Sequence, residues 1–169
     1  MKGKVVLIGL ILAVSISVSV KATGNLHNVE AMYIYNFLRH INWPESNVGN
    51  DFVIGVYGNS PVYDQLQEYA KNRKVGTKPI VVRKINSDSE AMNCQLVFVP
   101  SSNSGKIAGL KSQLGNRSCL IVSEKEGSIS SGSTVEFLLK DDKLAFRISE
   151  ERAKQQNLEV SRTLLNMAN

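Results

Sequence analysis

Apolar positions fall into two alternating rhythms along most of the chain. From Asn28 to Ile41, the residues Met32, Tyr35, Leu38 and Ile41 recur near helical spacing, with Tyr33 and Phe37 on the adjoining flank, which predicts a helix. Trp43-Pro44 ends it, because proline disfavours helical geometry in the residue before it. Phe52 to Tyr57 is a short β run closed by Gly58, and Asn59-Ser60-Pro61 reads as an N-cap with proline in the first turn of a helix reaching about Lys71. The alternation then repeats. Pro79 to Ile85 is rich in β-branched residues, Gln95 to Val99 is a second apolar run, Lys106 to Leu114 is an amphipathic helix stopped by Gly115, and Cys119 to Ser123 is the next strand.

Strands alternating with helices of about ten residues imply an α/β fold, a mostly parallel sheet with helices on both faces. The tail departs from this rhythm. Val135 to Leu139 and Leu144 to Ile148 flank Lys140-Asp141-Asp142-Lys143, a β-hairpin signal. Ser149 can cap a short helix opening with Glu150-Glu151, and a last short helix starting near Ser161 carries Leu164, Leu165 and Met167.

The start of the chain changes how charge and cysteines are read. Lys2 and Lys4 precede an apolar and small-residue run from Val5 to Val20, followed by Lys21-Ala22-Thr23, the layout of a secretory signal peptide over residues 1–22, cut after Ala22. The run is shorter than the roughly 20 residues needed to cross a bilayer core, so the exported chain is not expected to span a membrane. Cleavage removes three of the 20 basic residues and none of the 15 acidic ones, leaving 17 against 15. The mature chain is then close to neutral, and with Lys71, Arg73, Lys74 and Lys78 as its one local basic cluster it lacks the footprint of a nucleic-acid binder. No repeat or long linker interrupts residues 26–169, which read as a single domain.

Cys94 and Cys119 both lie in this exported part, each just before an apolar strand. In a parallel sheet consecutive strands begin at one edge, so neighbouring strands would set the two side by side, within disulfide reach. A bridge closing a loop of about 26 residues would stabilise the fold by roughly 3 kcal/mol, and two buried thiols are the other reading.

Candidate chemistry is sparse. Pro100-Ser101-Ser102-Asn103-Ser104-Gly105-Lys106 joins a strand to a helix and ends in Gly-Lys, as a phosphate-binding loop does. Pro100 stands where the first glycine belongs, however, and Ile107 where a Ser or Thr would hold magnesium. A helix-capping loop is the default, and a small anion at the helix start the alternative. His27, His40 and two separated cysteines include no Cys-x-x-Cys and no His-Glu-x-x-His, so no metal site or cofactor is expected. No Gly-x-Ser-x-Gly elbow or acid–base constellation appears, so no catalytic residues are assigned. Apolar residues on the first helix cover more than one stripe. Either that helix is buried on two sides, or Tyr33, Phe37 and Trp43 leave an aromatic flank for a partner.

Those residues also carry a family likeness. Ala31-x-Tyr33-x-Tyr35-Asn36-Phe37 leading to Ile41-x-Trp43-Pro44 is followed by Ile54-Gly55-Val56-x-Gly58 and by Leu120-Ile121-Val122-Ser123 with Gly127. Gly132 then precedes Val135-Glu136-Phe137, with Leu144-x-Phe146-x-Ile148 and Asn157-Leu158-x-Val160-Ser161-x-x-Leu164-Leu165 closing the chain. In that order the pattern resembles the YfiR family across essentially the whole mature chain. The resemblance implies a Rossmann-like domain in the bacterial periplasm. It also implies a regulator that binds the periplasmic part of an inner-membrane diguanylate cyclase or a membrane sensor, and so controls cyclic-di-GMP and biofilm formation. Dimerisation and redox sensitivity occur among such members. The alternative is a small-ligand module using the loops at the carboxyl ends of the strands, Gly58-Asn59-Ser60, Ser101 to Gly105 and Ser123 to Gly127, with Asn59, Ser60, Ser102, Asn103 and Ser104 as its candidate residues.

Overall fold

The structure is a computed structural model that describes residues 21–44 and 49–168, with side chains from residue 26. Most of the expected signal peptide, residues 1–20, lies outside the described residues. In chain order, helix α1 (Lys21–His40) runs into β1 (Ile41–Asn42), and β2 (Phe52–Tyr57) is followed by α2 (Val62–Ala70). The hairpin β3 (Lys74–Val75) and β4 (Lys78–Ile85) comes next, then β5 (Leu96–Val99), α3 (Ile107–Leu114) and β6 (Leu120–Ser123). A second hairpin, β7 (Val135–Lys140) and β8 (Lys143–Ile148), precedes α4 (Glu150–Gln155), β9 (Glu159–Val160) and α5 (Arg162–Met167).

β2, β5 and β6 are buried at every position. Strands with no polar alternation must be covered on both faces, which places them inside a sheet. The seven-stranded order is β3-β4-β2-β5-β6-β7-β8, parallel from β4 through β7 and antiparallel at both terminal hairpins. From β2 the chain steps outward to β4, then returns to the other side of β2 as β5 and continues to β6 and β7. Because crossovers are right-handed, this reversal puts α2 and α3 on opposite faces. The core divides accordingly. One cluster joins Ile34, Phe37 and Leu38 of α1 and Leu66 of α2 to Ile54, Phe98 and Phe137; the other joins Ile107, Leu110 and Leu114 of α3 to Val53, Val97 and Ile121.

Local chemistry explains most boundaries. Ser149 Oγ accepts a hydrogen bond from Arg152 N, and Ser161 Oγ accepts one from Leu164 N, both as N-caps. At the turn between β7 and β8, Asp141 and Asp142 take φ of 50° and 58°, the left-handed pair of a type I′ hairpin. Two expectations change. The first helix begins seven residues earlier than Asn28. α2 begins at Val62, with Ser60 Oγ accepting from Val62 N at 3.2 Å, while Asn59 Oδ1 accepts from Lys84 Nζ, also at 3.2 Å, instead of capping the helix.

Candidate functional site

Reversal of strand order between β2 and β5 opens a crevice at the carboxyl ends of these strands, the usual ligand position in open α/β sheets. In this protein the crevice is occupied by a side chain. Gly58 has φ +69°, and a Cβ on it would lie 3.1 Å from Asn103 Oδ1, so the loop after β5 leans directly on the loop after β2. Asn103 Oδ1 also accepts the Ser102 hydroxyl at 3.0 Å. Residues 101–106 form a 3₁₀ turn, with Ser104 O accepting from Ile107 N. The two loops therefore meet at Gly58 and Asn103, while the hydrogen bonds of Asn59, Ser60, Ser102 and Ser104 stay within their own loop or, for Asn59, reach Lys84 on β4.

The aromatic residues separate. Phe37 is fully buried, with its ring 5.0 Å from Phe146 and 6.1 Å from Phe137, so it belongs to the core and not to an exposed flank. Tyr33 packs on the same cluster and donates its hydroxyl to Leu144 O at 3.3 Å. Trp43 is different. It is half-buried, edge-on to Phe52 at 4.9 Å, and its Nε1 donates to Leu38 O at 3.2 Å. With Leu38, Ile41, Pro44, Val75 and Thr77 it lines a groove of about 630 Å³ at the amino edge of the sheet.

Cys94 and Cys119 lie where the strand arrangement puts them, at the start of the adjacent parallel strands β5 and β6 and in the same face of the core. They are free, buried thiols in this structure; the expected bridge is not formed. Cys94 Sγ donates to Glu90 O at 3.7 Å. Burial pushes the Cys94 thiol up to about 11 and raises Cys119 further, with the neighbouring Cys94 adding to the effect.

A third grouping was not visible in the sequence reading. His27 and Glu30, one turn apart on α1, meet Glu124, the first residue after β6, with their ligand atoms within 4.8 Å of one another. Glu30 is 1% exposed, and its Oε2 lies 2.9 Å from His27 Nδ1. Burial lifts the Glu30 carboxyl to about 7; the His27 contact pulls it back and the Glu124 charge raises it. Glu124 Oε2 in turn accepts Ser101 N at 2.6 Å. The sequence offers His27-x-x-Glu30 and, separately, Glu124 in the Ser123 to Gly127 loop; only the sheet brings them together.

The description YfiR/HmsC-like matches residues 27–169, the first helix through the last. The chain belongs to the YfiR/HmsC-like family. A comparison with curated proteins finds no match. The family places the chain among periplasmic regulators of cyclic-di-GMP signalling that act with a membrane signalling protein. Among the described residues no helix is long and apolar enough to cross a membrane. The glycines of the YfiR/HmsC-like pattern also gain a physical role here: Gly58 makes room for Asn103, and a Cβ on Gly55 would lie 2.8 Å from Cys94 Sγ.

Proposed function

We propose that this YfiR/HmsC-like protein, exported by a cleaved signal peptide, restrains an inner-membrane diguanylate cyclase by binding its periplasmic part. Through that contact it would lower cyclic-di-GMP and limit biofilm formation. The observation that carries the reading is family membership over residues 27–169. The Trp43 groove supplies a docking place, because it combines an amphipathic aromatic wall with the exposed Thr77 in a concave surface of about 630 Å³. Asn103, seated against Gly58, argues against the alternative of a small ligand in the switch-point crevice.

Deleting the gene is expected to raise cyclic-di-GMP, and plasmid-borne wild type to restore it. Trp43→Ala and Thr77→Arg, exported at wild-type abundance, should fail to restore it. Thr77 is exposed, so its substitution alters the groove without opening the core. An unchanged cyclic-di-GMP level in the deletion strain would count against the regulatory reading, and full complementation by both variants would move the docking surface elsewhere.

A further inference from the structure

We propose that His27, Glu30 and Glu124 form a binding site for one divalent transition-metal cation, Zn²⁺ by the chemistry of the donors. The spacing of three residues on α1 stacks His27 and Glu30 on one helix face, and the end of β6 brings Glu124 against them, within 4.8 Å ligand to ligand. Glu124 is already oriented, since its Oε2 accepts the Ser101 backbone N–H at 2.6 Å. Two carboxylates share this small volume, and one of them, Glu30, is 1% exposed. Two carboxylates and an imidazole converge here, the donor types a divalent cation takes, and an ion seated among them would offset the repulsion of the two acids.

A doubly charged ion does compensate them. One imidazole nitrogen and two carboxylate oxygens make a mixed donor set that suits zinc, whereas calcium and magnesium favour sets of oxygen alone. Among the borderline first-row ions, the stability order places zinc above manganese and iron. Zinc–ligand bonds of about 2.0–2.2 Å in a tetrahedron would set the donors about 3.3–3.6 Å from one another. The His27–Glu30 pair is already close, and Glu124 and His27 are half-buried side chains with room to adjust. Three protein ligands leave the fourth zinc position for water or for a ligand from another molecule. The site lies at the carboxyl edge of the sheet, opposite the Trp43 groove, so it does not depend on the regulatory reading.

The test uses untagged protein purified from the periplasm and stripped with EDTA. Titration calorimetry with zinc chloride is expected to show one saturable site, accompanied by a rise in melting temperature. Glu124→Gln, which keeps the acceptor for Ser101 N, and His27→Gln should each weaken zinc binding by about tenfold or more. Their circular dichroism and metal-free melting should match the wild type. X-ray absorption of the zinc-loaded protein should report nitrogen and oxygen neighbours. Failure of folded wild type to bind zinc, undiminished affinity in both folded variants, or sulfur in the coordination shell would each overturn the assignment, the last by moving the metal to Cys94 and Cys119.

Discussion

Gly55 sits in the middle of β2, where glycine is otherwise a poor choice because it buries no side chain. Its reason is Cys94, whose Sγ would lie 2.8 Å from a Cβ at that position, with Ile85 Cδ1 at 3.1 Å. Gly55→Ala is therefore expected to destabilise the domain by about 1–3 kcal/mol through overpacking. Adding Cys94→Ala removes the atom in conflict, so the double variant should recover part of that loss in urea unfolding. Strict additivity of the two single effects would disprove the contact as the cause. The same burial sets the response of Cys94 to alkali. Its pKa rises from 9.0 to about 11, so the folded state holds the thiol proton more tightly than the unfolded chain does. The stabilisation is complete below pH 9 and is lost as pH rises towards 11, by up to about 3 kcal/mol. Melting temperature plotted against pH over this window should fall less steeply in Cys94→Ala than in the wild type. At the scale of single residues the sequence exposed Gly55 and Cys94 separately. Their contact depends on which strands become neighbours, and that of Glu30 with Glu124 on where α1 lies against the sheet.

Elements whose pattern is strong in the sequence are the ones whose physics is local or uniform. β2, β5 and β6 announce themselves because a strand covered on both faces is apolar throughout. The β7–β8 hairpin announces itself through its turn, and that turn still carries strain, since Asp141 and Asp142 both have positive φ. Asp142→Gly should raise stability by up to about 1 kcal/mol, as measured by urea unfolding, because glycine adopts that conformation without a Cβ penalty. Ser149→Ala should lower it by about 1 kcal/mol through loss of the bond from Arg152 N. By contrast, β1, β3 and β9 are two residues each, too short to show any periodicity, and they exist because their partners hold them. The turn at residues 101–106 was legible as a polar loop but not as a 3₁₀ segment leaning on Gly58. The aromatic flank of α1 divided for the same reason: Phe37 and Trp43 look alike in sequence, but one faces the sheet and the other lies beyond the helix end, at the sheet's amino edge.

At the scale of the whole molecule, α1 joins the two regions proposed above as sites. It carries His27 and Glu30 towards its middle, beside the residue that follows β6, and Leu38 near its finish, about 12 Å further along at the Trp43 groove. The end of the chain fastens that finish. β9 pairs antiparallel with β1 (Ile41 opposite Val160, Asn42 opposite Glu159), and Ser161 N donates to His40 O at 2.9 Å. Leu158 and Leu164 then plug the core cluster that α1 covers, at 1% and 0% exposure. Removing residues 158–169 would expose the apolar surface beneath two leucines, a loss of about 3–6 kcal/mol against a total stability of about 5–15 kcal/mol for a domain. The truncated chain should consequently melt at least about 6 °C lower, at 2–4 °C for each kcal/mol in a domain of this size. Because Ile41 also lines the groove, the same truncation should abolish complementation of a deletion strain even at temperatures where the chain stays folded. Melting within a few degrees of the full-length domain would mean that the terminal clasp is dispensable, and that α1 is held in place by the sheet alone.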